Sequence, residues 1–152
     1  MIYYLIASIL IAVTALFART KRAVLAAGIL FYAVQIAAAG LLLWGGLYDT
    51  TSAAFFTFDA LGTLFYLLLV VVSMYVFGHS EAYLQGEDLR SYRLYFALLM
   101  LLTTAIAGAY FANNLAVTWI FLEATTLCSA GIIYHRRTAQ ALEAAWKYVF
   151  VC

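Results

Sequence analysis

Long apolar runs separated by short polar clusters set the pattern of this chain. They are Ile2 to Ala18, Ala23 to Leu47, Ala53 to Phe77, Leu94 to Ala112 and Leu115 to Tyr134, with a sixth that begins near Thr138 and stops at Cys152. A helix needs about 20 residues to cross the hydrocarbon core of a bilayer. The pattern therefore predicts five complete spans plus the start of a sixth. Barrel strands would alternate polar and apolar residues, and these runs do not alternate. The sequence has no proline, the residue at which membrane helices most often kink, so straight helices are expected. The expected fold class is all-α, a polytopic transmembrane helix bundle forming a single domain over residues 1–152. The sixth run is too short to cross, which predicts that the chain is the front of a longer protein.

The polar clusters orient the bundle. Of the eight lysines and arginines, seven fall in three clusters: Arg19, Lys21 and Arg22; Arg90 and Arg93; Arg136 and Arg137. The alternate connections, Tyr48 to Ser52 and Asn113-Asn114, carry none. Basic loops mark the cytoplasmic side, so a multi-pass protein of the cytoplasmic (inner) membrane with its amino terminus outside is expected. Tyrosines near the run ends, Tyr3, Tyr4, Tyr48 and Tyr110 outside and Tyr83, Tyr92 and Tyr134 inside, suit interfacial anchors. No basic flank precedes the first run, so it reads as an uncleaved span rather than a signal peptide. Asn113-Asn114 leaves room only for a tight helical hairpin. The connection from His79 to Arg93 is the longest, and suits either a solvated connector or a cytoplasmic docking surface.

Composition sharpens the picture. Hydrophobic residues make up 68% of the chain and charged residues 10%, against about 25% charged in soluble domains. Few charges therefore fall inside the runs, and those few are the candidates for chemistry. Glu123 lies near the middle of the fifth run and Lys147 just inside the sixth. Each costs about 3 kcal/mol on insertion scales, which makes a charge-handling role the default. Both lean toward their neutral forms in hydrocarbon, so each could carry a proton. If they came within about 7 Å at an effective dielectric near 20, their attraction would be about 2.4 kcal/mol. The alternative is a static ion pair that moves nothing.

Trp119, Thr126 and Ala130 share helical spacing with Glu123, and the small residues among them predict close helix approach and a carboxylate that points into protein. Glu143 precedes Lys147 by one helical turn, where it could relay protons from the cytoplasm or simply neutralise the lysine. Asp59 suits the amino-terminal end of the third helix, by dipole or packing. Gln35, inside the second run, suits a helix-to-helix hydrogen bond, or less simply the wall of a hydrated path. His79 and His135 fall at helix ends without an opposing ligand for a membrane haem. Cys128 and Cys152 lack paired spacing and read as reduced packing residues. No phosphate loop or nucleophile motif is present, so no catalytic residue, metal or cofactor is expected in this chain, nor any nucleic-acid partner.

Trp119-Ile120-Phe121-Leu122-Glu123-Ala124-Thr125-Thr126-Leu127-Cys128-Ser129-Ala130, followed by Ala141-Leu142-Glu143-Ala144-Ala145-Trp146-Lys147-Tyr148, resembles the antiporter-like membrane subunits shared by complex I, Mrp-type antiporters and group 4 hydrogenases. The wording is most similar to the hydrogenase-4 F component. That resemblance implies inverted helical repeats and proton translocation driven by redox chemistry in partner subunits, with Glu123 and Lys147 matching the family's glutamate and lysine. It implies as partners other membrane subunits and a peripheral redox arm of hydrogenase or NADH dehydrogenase type. The family's later lysines and broken helices have no counterpart in these residues. A cation/proton antiporter subunit of the Mrp type and a non-conducting membrane scaffold remain the alternatives.

Overall fold

The computed structural model describes residues 1–45 and 55–152. Among these residues six α-helices follow one another: α1 Ile2–Phe17, α2 Lys21–Leu43, α3 Ala60–Tyr83, α4 Leu89–Phe111, α5 Leu115–Ile133 and α6 Ala139–Val151, with a 3₁₀ turn Tyr134–Arg136 joining the last two. Most of their starts are written in the sequence. Thr20, Asp59, Asn114 and Thr138 each accept a hydrogen bond from a first-turn backbone N–H of α2, α3, α5 and α6, satisfying a donor that the helix itself leaves unpaired.

Among the described residues, four stretches are long and apolar enough to cross a membrane: Lys21–Leu43, Ala60–Tyr83, Leu89–Phe111 and Leu115–Arg136. This corrects the expected five. Helix α1 has 16 residues, or about 24 Å, against a hydrocarbon core of about 30 Å. Helix α6, with 13 residues, is shorter still.

The third span is also shifted from its expected place. It begins after the Asp59 cap and continues through His79, Ser80 and Glu81 to Tyr83. Before it, Thr57 N–H donates to Phe111 O at 2.9 Å and Phe55 O accepts from Asn113 N–H at 2.8 Å, so the approach to α3 is extended backbone laid along the α4–α5 turn. The long connection expected from His79 to Arg93 is thereby reduced to residues 84–88, because polar residues at both of its ends are helical. The expected end of span two at Leu47, the start of span three at Ala53 and the Tyr48 to Ser52 connection lie outside the described residues.

Helix α4 is the hub, and it packs against α1, α2, α3 and α5. Two apolar clusters divide the bundle. One gathers Val24, Phe31, Leu84, Tyr92, Phe96 and Met100, and the other Leu5, Leu42, Tyr66, Val70, Ala107 and Phe111. Thr103 and Thr104 are buried on α4 and give their hydroxyl protons to Leu99 O and Met100 O, so neither is left unpaired in an apolar surround.

All three basic clusters meet at one end. Lys21 Nζ donates to Gln85 O at 2.9 Å and Glu87 O at 2.7 Å, and lies over the Tyr92 ring. Arg93 donates to Ala18 O at 3.0 Å, and Arg136 pairs with Glu87 at 3.1 Å while covering Tyr83. These cations tie the α1–α2, α3–α4 and α5–α6 joints together. Tyr92, expected as an interfacial anchor, is buried under Lys21 instead.

Candidate functional site

Helices α5 and α6 carry the charged candidates, and α4 positions α5. Gly108 of α4 leaves the space that the Phe121 ring occupies, and Gly131 of α5 leaves the space that Leu98 occupies. A Cβ at Gly108 would come within 2.4 Å of Phe121, so the absent side chain is what lets the two helices approach. Phe121 also meets Phe56 at 6.0 Å between ring centres. The half-buried positions Val117, Phe121, Ala124, Cys128 and Gly131 follow steps of four and three, the seam of two closely packed helices.

That seam turns Glu123 away from α4. The residue is exposed, no residue of α5 is fully buried, and around Glu123 stand Trp119, Ile120, Leu122 and Leu127, all more than half exposed. Helical spacing with Thr126 and Ala130 predicts a carboxylate that points into protein. Those two are half-buried, and Thr126 gives its hydroxyl proton to Leu122 O at 3.2 Å, but the small-residue side does not carry Glu123 inward with it. Within this chain the carboxylate sits on an open apolar face.

Glu143 and Lys147 do come together. Lys147 Nζ donates to Glu143 Oε1 at 2.6 Å, with side chains 74% and 65% exposed. The burial expected of Lys147 is therefore also not found within this chain. No hydrogen bond or ion pair joins Glu123 to Lys147 among the described residues. Helix α6 packs against α5 beyond the 3₁₀ turn. An apolar groove lined by Leu127, Ala130, Leu142, Ala145, Trp146 and Val149 runs between the two helices.

The accessory candidates fall elsewhere. Asp59 caps α3 through Oδ1, which accepts from Gly62 N–H at 3.0 Å. Gln35 is fully buried and accepts from Tyr4 OH at 2.6 Å and Tyr66 OH at 2.8 Å, so it joins α1, α2 and α3. Periodicity gives no sign of Tyr66 in this role, and Tyr4, expected as an interfacial anchor, bonds inward instead. His135 was noted only as a helix-end residue. It is buried in the α5–α6 joint, bonded through Nδ1 to Ile132 O at 2.7 Å and set edge-on to Tyr95, whose hydroxyl meets Ser80 Oγ at 3.0 Å. Cys128 and Cys152 are free thiols.

Helices of this length and apolarity, in a bundle tied by cations at one end, make this a multi-pass helical membrane protein. It is similar to the hydrogenase-4 component F homologue of Methylacidiphilum infernorum (isolate V4), with 29% identity over 101 residues, covering 62% of this chain and 21% of the relative. The chain thus spans about a fifth of the length of the relative it matches. No family model and no solved structure matches it.

Proposed function

We propose that this chain belongs to a membrane subunit of a hydrogenase-4-like or complex I-like redox complex and contributes to proton translocation, with Glu123 as its main proton-binding group. Lys147 is its electrostatic partner, and Glu143 the relay between Lys147 and the basic end. The observation that carries the reading is the setting of Glu123: a lone carboxylate amid Trp119, Ile120, Leu122 and Leu127 on an open face. Facing lipid, that carboxylate would cost about 3 kcal/mol and return nothing. The face is therefore covered by protein in the assembled complex, and the covering helices bring hydrogen-bonding or basic groups to Glu123. The basic end faces the cytoplasm of a cell whose inner membrane holds the complex, and a redox arm of hydrogenase or NADH dehydrogenase type supplies the driving reaction.

The test is Glu123→Gln in the complex assembled with its partner subunits and reconstituted into vesicles. The variant keeps size and hydrogen bonding but cannot exchange a proton. Proton uptake should fall while native-gel mobility stays that of the wild-type complex. Unchanged uptake in a normally assembled complex would leave a non-conducting scaffold as the function.

A further inference from the structure

The cluster around Gln35 has hydrogen-bonding capacity that the protein does not use. Gln35 Oε1 accepts from both Tyr4 OH and Tyr66 OH, and Tyr66 OH also lies 3.2 Å from Gln35 O. Both tyrosine protons are thereby spent, while their oxygens can still accept. Gln35 Nε2, with two N–H groups, and Ser8 Oγ are buried and meet no partner among the described residues. Ser8 is fully buried one helical turn from Tyr4 and lies beside its hydroxyl without reaching hydrogen-bond geometry. Exchanging the amide oxygen and nitrogen does not remove the deficit, because Oε1 and the tyrosine protons would then need partners.

We infer that these residues hold an internal water, which accepts from Gln35 Nε2 and is shared with Ser8 Oγ. Water fits the chemistry: it both accepts and donates, as the unspent amide protons and the free hydroxyl and phenol oxygens require. A bare cation does not fit, since the amide N–H groups would face it. Position supports access. Tyr4 lies in the first turn of α1, the helix too short to span the hydrocarbon core, so its end draws the aqueous boundary inward. A cavity bounded by Met1, Tyr3, Tyr4, Phe58, Tyr66 and Phe111 reaches the same two hydroxyl-bearing rings. The site is separate from the α5–α6 hairpin, and it makes water part of the attachment of α1 to α2 and α3.

Water-edited solid-state NMR on the full protein in lipid bilayers, with glutamine side chains labelled with ¹⁵N, tests the inference. The Gln35 amide signal is identified by its loss in Gln35→Leu. Magnetisation from water should reach it despite its burial, as it reaches the exposed Gln85. In Ser8→Ala, which keeps the amide but removes the second anchor, the transfer should drop severalfold. An amide that receives nothing from water overturns the inference, as does transfer that Ser8→Ala leaves unchanged.

Discussion

Replacing Gly108 by alanine tests whether the α4–α5 seam fixes the direction in which Glu123 points. The added Cβ would meet three ring carbons of Phe121, at 2.4, 2.6 and 2.6 Å, where carbon atoms rest at about 3.5–4.0 Å. The ring or the helix must move by about 1 Å, and overpacking of that kind costs about 1–3 kcal/mol. Alanine in a helix also returns up to about 1 kcal/mol of propensity relative to glycine, so a control must carry the same gain. Gly78 provides it: it is exposed on α3, and an added Cβ there meets nothing within 4 Å. The expected result is a stability gap of about 1–3 kcal/mol between Gly78→Ala and Gly108→Ala, measured by denaturation in detergent and followed by circular dichroism. Adding Phe121→Leu should recover part of the loss at Gly108, a non-additive effect expected only of residues in contact. Equal stability of the two alanine variants, or strict additivity with Phe121→Leu, would refute the seam.

Cysteines placed at Arg19, Gly86 and Arg137 should all be labelled from one side of the membrane and one at Asn113 from the other, and labelling of Asn113 from the basic side would break the topology. Lys21→Met leaves the carbonyls of Gln85 and Glu87 without their cation and should cost about 1–2 kcal/mol, since hydrogen bonds from charged donors exceed neutral ones; Lys21→Arg should recover part of the loss in the same denaturation assay. Lys147→Met removes half of an exposed ion pair, and such pairs contribute about 0–1 kcal/mol in water. Its stability should therefore hardly change while proton uptake falls, and a large stability loss with normal uptake would reverse the assigned role.

Much of the architecture was legible because membrane helices need length and apolarity, and both are written locally. The place of Asp59 at the amino-terminal end of α3, the start of α6 near Thr138, the tight turn at Asn113-Asn114 and the turn-spaced Glu143–Lys147 ion pair depend on near neighbours alone. The gathering of arginines and lysines at one end followed from their alternation along the chain. What escaped depends on contacts distant in sequence. Apolarity placed α3 too early, since it does not distinguish a helical Phe58 from one in the extended approach pinned to α4. The polar residues His79 to Glu81 looked like loop because they extend a helix beyond its apolar part. Glu123 was assigned to the small-residue face of α5, but the stronger seam is set by Gly108, on a different helix, accepting Phe121. The partners of Gln35 come from two other helices, and no spacing within α2 announces them.

In the proposed role Glu123 takes up and releases a proton during turnover. Infrared difference spectroscopy of the assembled complex, recorded between resting and turning-over states, observes this directly. A carboxyl band that changes with turnover and shifts on deuteration should be present in the wild type and missing in Glu123→Gln. A difference spectrum that is the same in both proteins would contradict it.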